Sequence, residues 1–140
     1  MERWVVYAFL SMFFAGFTSV IAKQGLTNIS GELGLTVRTL FVSVFVLLFA
    51  IMSISLTEIQ NLQKTNILWL AGSAITTTLS WIFYYKALKL GDVATIALID
   101  KGSVVIAIVL AWLLLKEAIT LRLIIGAAFI MLGLFVIAKK

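Results

Sequence analysis

Residues 93–115 read VATIALIDKGSVVIAIVLAWLLL, an apolar run broken once, at Asp100-Lys101-Gly102-Ser103. A helix rising 1.5 Å per residue needs about 20 residues to cross the roughly 30 Å of a bilayer's hydrocarbon core, and this run is long enough. Four similar runs lie outward from it, at about residues 5–22, 35–56, 67–88 and 121–138. All five are continuous and do not alternate with period two, which excludes a spanning barrel and leaves helices. Hydrophobic residues make up 63% of the chain and mean hydropathy is +1.17, against about 45–50% apolar in soluble domains. The chain therefore reads as an all-α integral membrane protein. Five transmembrane helices form a single domain over residues 1–140, with the termini on opposite sides of the bilayer.

Composition removes several classes of chemistry. With no cysteine and no histidine, thiolate chemistry, imidazole catalysis and the common transition-metal sets are gone. No nucleophile and base stand together, so the chain is not read as an enzyme, and neither a cofactor nor a metal is expected. The net charge of +5 is spread over helix ends and loops, which is no nucleic-acid stripe. The charges speak to topology instead. With the N-terminus on side one, that side receives Arg3, Lys64, Lys116 and Arg122; the other receives Lys23, Arg38, Lys86, Lys89, Lys139 and Lys140. Four against six is a small bias toward N-out, C-in, compatible with insertion both ways. The first run is longer than a signal-peptide core and Lys23-Gln24 follows it directly, so it reads as a retained helix.

The connections are short. Residues 23–34 are polar and hold three glycines. Residues 53–66 form the longest link, with Thr65 or Asn66 as the expected N-cap of the third helix. In Lys89-Leu90-Gly91-Asp92, Gly91 is expected to close one helix and Asp92 to cap the next, and Thr120 is expected to cap the last.

Asp100 and Lys101 are the sharpest feature. Eight or nine residues past the Asp92 cap places them roughly 12–14 Å down the helix, where a charge costs at least about 2.5–3.5 kcal/mol. Intramembrane ionisable residues mark substrate or ion paths by default, and Asp100 is the candidate for a coupling proton. Adjacent positions of an intact helix do not face each other, but Gly102 can loosen the turn and expose backbone carbonyls. The competing reading is structural: Lys101 snorkels toward Asp92 and Asp100 is a hydrogen-bonded group.

Helix one carries Ser11, Ala15, Thr18 and Ala22 at helical spacing, which suits close packing or a solute path. Helix three carries Ser73, Thr76, Thr77, Thr78 and Ser80, then Trp81, Tyr84 and Tyr85. Trp81, Tyr84 and Tyr85 read as an interfacial belt near the helix end, with a cavity mouth as the other reading for Tyr84 and Tyr85. Gly126 and Gly133 share one face of helix five, a packing surface within the protomer or between protomers. Arg38 and Glu117 read as solvated charges at helix ends.

The residues Trp81-Ile82-Phe83-Tyr84-Tyr85-Lys86-Ala87-Leu88-Lys89-Leu90-Gly91-Asp92, then Leu113-Leu114-Leu115-Lys116-Glu117-Ala118-Ile119-Thr120, with Gly126 and Gly133 beyond, carry a resemblance. Residues Thr18 to Lys23 and Val37-Arg38-Thr39-Leu40 agree more loosely. Together they resemble the EamA-type domain of the drug/metabolite transporter superfamily over almost the whole chain. The variant at Asp100-Lys101-Gly102-Ser103, where many members have proline, is similar to the short single-domain branch of bacteria and archaea. The resemblance implies a multi-pass protein of the inner or plasma membrane and a secondary transporter, read as an exporter of a small metabolite or drug-like solute. Larger relatives carry two five-helix repeats in opposite orientations around a midplane cavity. A single repeat implies two copies in an antiparallel homodimer of ten helices. The alternative is a non-transporting or half-transporter subunit that joins a paralogous partner. The lipid bilayer and a small-molecule substrate are the other partners expected. On this reading Asp100, Lys101, Ser103, Thr77, Trp81, Tyr84, Ser11 and Thr18 line the path.

Overall fold

The computed structural model describes residues 2–138, and helices dominate them. In chain order they are α1 (Arg3–Gly25), α2 (Gly31–Ser53), α3 (Leu56–Gln60), α4 (Lys64–Leu90), α5 (Val93–Asp100), α6 (Ser103–Leu115) and α7 (Leu121–Ala138). Four stretches are long and apolar enough to cross a membrane: α1, α2, α4 and the interrupted rod Val93–Leu115. The last helix is shorter, at 18 residues. Start signals come from side-chain oxygens that accept otherwise orphaned N–H groups. Ser30 accepts from the Leu33 N–H at 3.2 Å, Asp92 from Thr95 at 2.9 Å and Thr120 from Leu123 at 3.3 Å. The expected caps at Asp92 and Thr120 are therefore formed.

Three boundaries differ from the expectation. α2 starts at Gly31 and not near residue 35, because Ser30 supplies a cap inside the polar link. α4 starts at Lys64, so Thr65 and Asn66 lie in its first turn and neither is its cap. The long link is not bare, since α3 occupies it, held by a capping box in which Ser55 and Glu58 each satisfy the other's backbone. Gly91 does follow α4, but no glycine among the described residues has positive φ. The carbonyl of Leu88 in the last turn instead accepts from the Lys23 ammonium, so no left-handed glycine is required there. The left-handed positions are Asn28 and Lys116, at φ 60° and 55°.

The chain forms two compact units, residues up to Ser19 together with those from Gly91 onward, and Val20–Leu90. In the second unit α2 packs on α4, and the packing is concentrated at one end. The C-terminus of α1, the first turns of α2 and the last turns of α4 surround Leu26, Tyr85 and Leu88, which are 3%, 4% and 0% exposed. Two lysines cross there in opposite directions: Lys23 donates to the Leu88 carbonyl and Lys89 to that of Leu26 at 2.9 Å. Each places a cation where helix carbonyls carry partial negative charge. A methyl at Gly31 would sit 2.9 Å from the Tyr85 carbonyl oxygen, so the lack of a side chain there is what lets the backbones meet. Away from this end, every residue of α4 from Lys64 to Ser80 is exposed.

In the other unit α5 packs on α7, and Gly102 lies under Leu134, whose Cδ1 would be 2.9 Å from an added methyl. Within α1, Phe13 meets Phe14 and Phe17 edge to face at 5.7 and 4.9 Å between ring centres. These are the offset geometries that aromatic quadrupoles favour.

Candidate functional site

The rod 93–115 breaks where its charges lie. Regular i→i+4 bonding gives way to i→i+3 bonds: Lys101 N–H to Leu98 O at 3.1 Å, Gly102 to Ile99 at 2.9 Å, Val104 to Lys101 at 3.1 Å and Val105 to Gly102 at 3.1 Å. Lys101 and Gly102 have φ/ψ of −66/−15° and −59/−22°, close to 3₁₀ geometry. Such tightened stretches inside a helix are common hinges. The break also changes the pairing. Asp100 and Lys101 would point apart on an intact helix, but here Lys101 Nζ lies 4.0 Å from Asp100 Oδ2, with the two side chains about half exposed. Ser103 opens α6 directly after the break and is exposed. The site thus offers one cation, one anion and a loosened backbone within a few residues.

In the unit 20–90 sequence reading missed a residue. Arg38 is not a solvated end charge. Its guanidinium carbon lies 4.5 Å from the Trp81 ring centre and 6.0 Å from that of Tyr85. Its Nη1 is sealed from solvent without a hydrogen-bond partner. The error follows from the helix boundary. With α2 starting at Gly31, Arg38 lies two turns in, about 10 Å from the helix start, and not at its mouth. Glu32, in the first turn, pairs with Lys86 of α4 at 3.5 Å. The i, i+4 spacing of Trp81 and Tyr85 was the signal available for an α4 face that receives a cation.

Beside this pairing runs an open groove of about 440 Å³ between α2 and α4, whose polar lining is Glu32, Thr36, Thr39 and Thr78. Leu35, Leu40 and Ile82 supply its apolar walls. A second hollow, of about 290 Å³, lies in the other unit among Ala107, Ala111, Trp112, Ala118 and Leu123, with Glu117 at its lining.

The remaining expected residues fall as follows. Trp81 and Tyr84 are half-buried, and the Tyr84 ring lies 6.5 Å from that of Tyr85. Thr77 is exposed, as is Ser11 on α1, and the Thr18 hydroxyl donates to the Phe14 carbonyl at 3.0 Å. Nothing lies within 4 Å of a methyl placed at Gly126 or Gly133. No cluster of acidic side chains that could hold a metal exists among the described residues.

A profile of the EamA-like transporter family matches residues 2–139. The chain belongs to that family. A protein named as an uncharacterized transporter in the cobO 3′ region, from a Sinorhizobium species, is 32% identical over 137 residues, which cover 98% of this chain and 97% of the relative. No solved structure matches the chain significantly. Family and helices together make this a multi-pass membrane protein of transporter type, with the bilayer as its solvent and a small molecule as its substrate.

Proposed function

We propose that the chain is a secondary transporter that exports a small metabolite or drug-like solute by alternating access. The working unit is two five-helix protomers inserted in opposite senses, in the cytoplasmic or plasma membrane of a bacterium or archaeon. The observation that carries this reading is the break at Lys101–Gly102 beside the Asp100–Lys101 pair. An interrupted membrane helix that carries a charge in its middle is how secondary transporters bind ions and solutes away from bulk water. On this reading Asp100 takes up a coupling proton, and Lys101 and Ser103 are contacts of the solute. Thr77, Trp81, Tyr84, Ser11 and Thr18 line the path, and Gly126 and Gly133 lie where helices of the two copies meet.

Pairing is supported by what a single copy leaves uncovered. Thr76 and Thr78 donate to carbonyls of their own helix, whereas the hydroxyls of Ser73, Thr77 and Ser80 belong to the part of α4 that is exposed throughout. Lipid tails offer these groups no hydrogen bonds, whereas a second protein surface does. A paralogous subunit would satisfy the same requirement, and this is the competing assembly.

The test is uptake of candidate solutes into proteoliposomes holding this chain alone, under an imposed proton gradient. Gradient-driven flux from the single gene product supports the proposal. A stable, purified protein that moves nothing until a paralogue is added would establish the half-transporter reading instead.

A further inference from the structure

The α2–α4 groove has a hydrogen-bonding character that points to a ligand. Each threonine along it has already spent its hydroxyl hydrogen on its own helix: Thr36 donates to the Glu32 carbonyl at 2.9 Å, Thr39 to that of Leu35 at 2.8 Å and Thr78 to that of Ala74 at 2.8 Å. A hydroxyl committed in this way still offers its oxygen lone pairs. Glu32, the remaining polar residue of the lining, is an acceptor when ionised. The groove therefore presents three neutral acceptors and one carboxylate, against walls of Leu35, Leu40 and Ile82. The nearest cation, Lys86, is already at the carboxylate, 3.5 Å away. Arg38 does not line the groove; its guanidinium sits over Trp81.

We infer that this groove is a binding site for a solute with an apolar body and a hydrogen-bond-donating ammonium group, and that the ammonium replaces Lys86 at Glu32. The complementarity runs through charge, donor count and shape. A protonated amine brings one positive charge and up to three donors to a site that has acceptors only, and its hydrocarbon part lies on the leucine and isoleucine walls. An anion would meet Glu32 and find no donor among the groove's side chains. A quaternary ammonium would match the charge but supply no hydrogen. Lys86 acts as an internal stand-in for the ligand. Its pairing with Glu32 ties the first turn of α2 to the last turns of α4, and displacement by solute releases that tie. The inference deepens the transport reading and rests on it only for its physiological meaning.

Binding, measured without any gradient, tests it. The full chain in phosphatidylcholine nanodiscs is titrated with 2-phenylethylamine, its N,N,N-trimethyl analogue and 2-phenylethanol. The amine is expected to bind, and the trimethyl compound and the alcohol about tenfold or more weaker, since hydrogen bonds to a charged partner are lost. Glu32→Gln should weaken amine binding about tenfold. Lys86→Gln should tighten it roughly two- to fivefold, as expected on removing a competitor held by an exposed ion pair. The gain from Lys86→Gln is the sign that a merely structural ion pair would not produce. Equal affinity for amine and trimethyl analogue, unchanged affinity in Glu32→Gln, or weaker binding in Lys86→Gln would each overturn the site. Where Glu32→Gln fails to fold, Thr39→Val with Thr78→Val replaces it and should cost the amine several-fold while sparing the alcohol. Nanodiscs that contain phosphatidylethanolamine provide the last arm. Strong competition from that lipid would make the groove a headgroup site and end the solute reading. Loss of gradient-driven flux with amine binding intact would bear on Asp100 and not on this groove.

Discussion

Arg38 holds its guanidinium carbon 4.5 Å from the ring centre of Trp81, joining the second turn of α2 to the last third of α4. Cation–π contacts are worth about 0.5–1 kcal/mol when exposed and about 2 when desolvated. Tyr85, at 6.0 Å, adds a second aromatic surface to the same guanidinium. A double-mutant cycle of Arg38→Met and Trp81→Leu, read by unfolding in mixed micelles, should give a favourable coupling of about 0.5–2 kcal/mol. Arg38→Lys should recover less than half of it, because an ammonium cannot stack as a plane on two rings. A coupling near zero would show that the two residues share a location and no energy.

Gly31 makes a second, purely steric prediction. Its missing methyl would lie 2.9 Å from the Tyr85 carbonyl oxygen and 3.1 Å from the Tyr85 carbonyl carbon, both backbone atoms that cannot turn aside. Gly31→Ala should therefore force α2 away from α4 and cost about 1–3 kcal/mol, as overpacking does. Gly72→Ala is the control, since nothing lies within 4 Å of its added methyl; there alanine should be neutral or mildly stabilising. Equal melting temperatures for the two variants would mean the close approach is not made in the membrane.

The contrast between Arg38 and Asp100 explains what could be read from the chain and what could not. The cost of Asp100 can be read from position alone: a charge far from both ends of an apolar run is expensive wherever the neighbours are. The partnership with Lys101 cannot, since it depends on a local switch to i→i+3 bonding that only the backbone reveals. Arg38 was misjudged because its depth hangs on a helix start, and Ser30 begins that helix earlier than the apolar pattern does. The groove was invisible for a related reason. The residues of its lining come from two helices that meet at Gly31 and Tyr85, at Glu32 and Lys86 and at Arg38 and Trp81, contacts that leave no periodic trace.

The link before α4 should respond to acid. The Glu58 carboxyl is held below the usual carboxylate value, first by the Ser55 backbone N–H and next by the Ser55 hydroxyl. A carboxyl depressed in the folded state stabilises it above the unfolded pKa, and that contribution disappears as pH falls through the folded pKa. The capping box should thus be fully formed at neutral pH and lost below the carboxylate range. Amide hydrogen exchange across residues 55–60 should show α3 opening in acid before α2 or α4. Glu58→Gln, which keeps an acceptor but does not titrate, should flatten that response. An acid response unchanged in Glu58→Gln would place the titrating group elsewhere.

For Asp100 the expectation concerns pH dependence more than rate. If its carboxylate carries the coupling proton, Asp100→Asn should retain solute binding and lose flux driven by a proton gradient. Whatever exchange remains should not vary with pH. Lys101→Met should behave differently: flux driven by a proton gradient should persist, and affinity for an ammonium solute should rise a few-fold, because the lysine presents a like charge and does not carry the transferred proton. Flux in Asp100→Asn that follows the unaltered protein at every pH would remove Asp100 from the coupling step.

Opposed insertion predicts a labelling pattern that charge alone should be able to shift. Four cationic residues on one side against six on the other leave little preference under the positive-inside rule. A cysteine at position 140, in a chain that has no other, should react with an impermeant thiol reagent from outside intact cells in one fraction of the molecules and from inside in the rest. Lys64→Gln with Arg122→Gln thins the smaller group and should drive the population to a single N-out, C-in orientation. If two opposed copies form the transporter, that variant should be made and inserted normally yet lose flux. Co-expression with an oppositely biased variant, Lys139→Gln and Lys140→Gln together with Gln60→Lys and Gln63→Lys, which leaves six cations on the first side against four on the second, should restore it. Flux from the singly oriented population at full rate would show that the protomers work in parallel or alone.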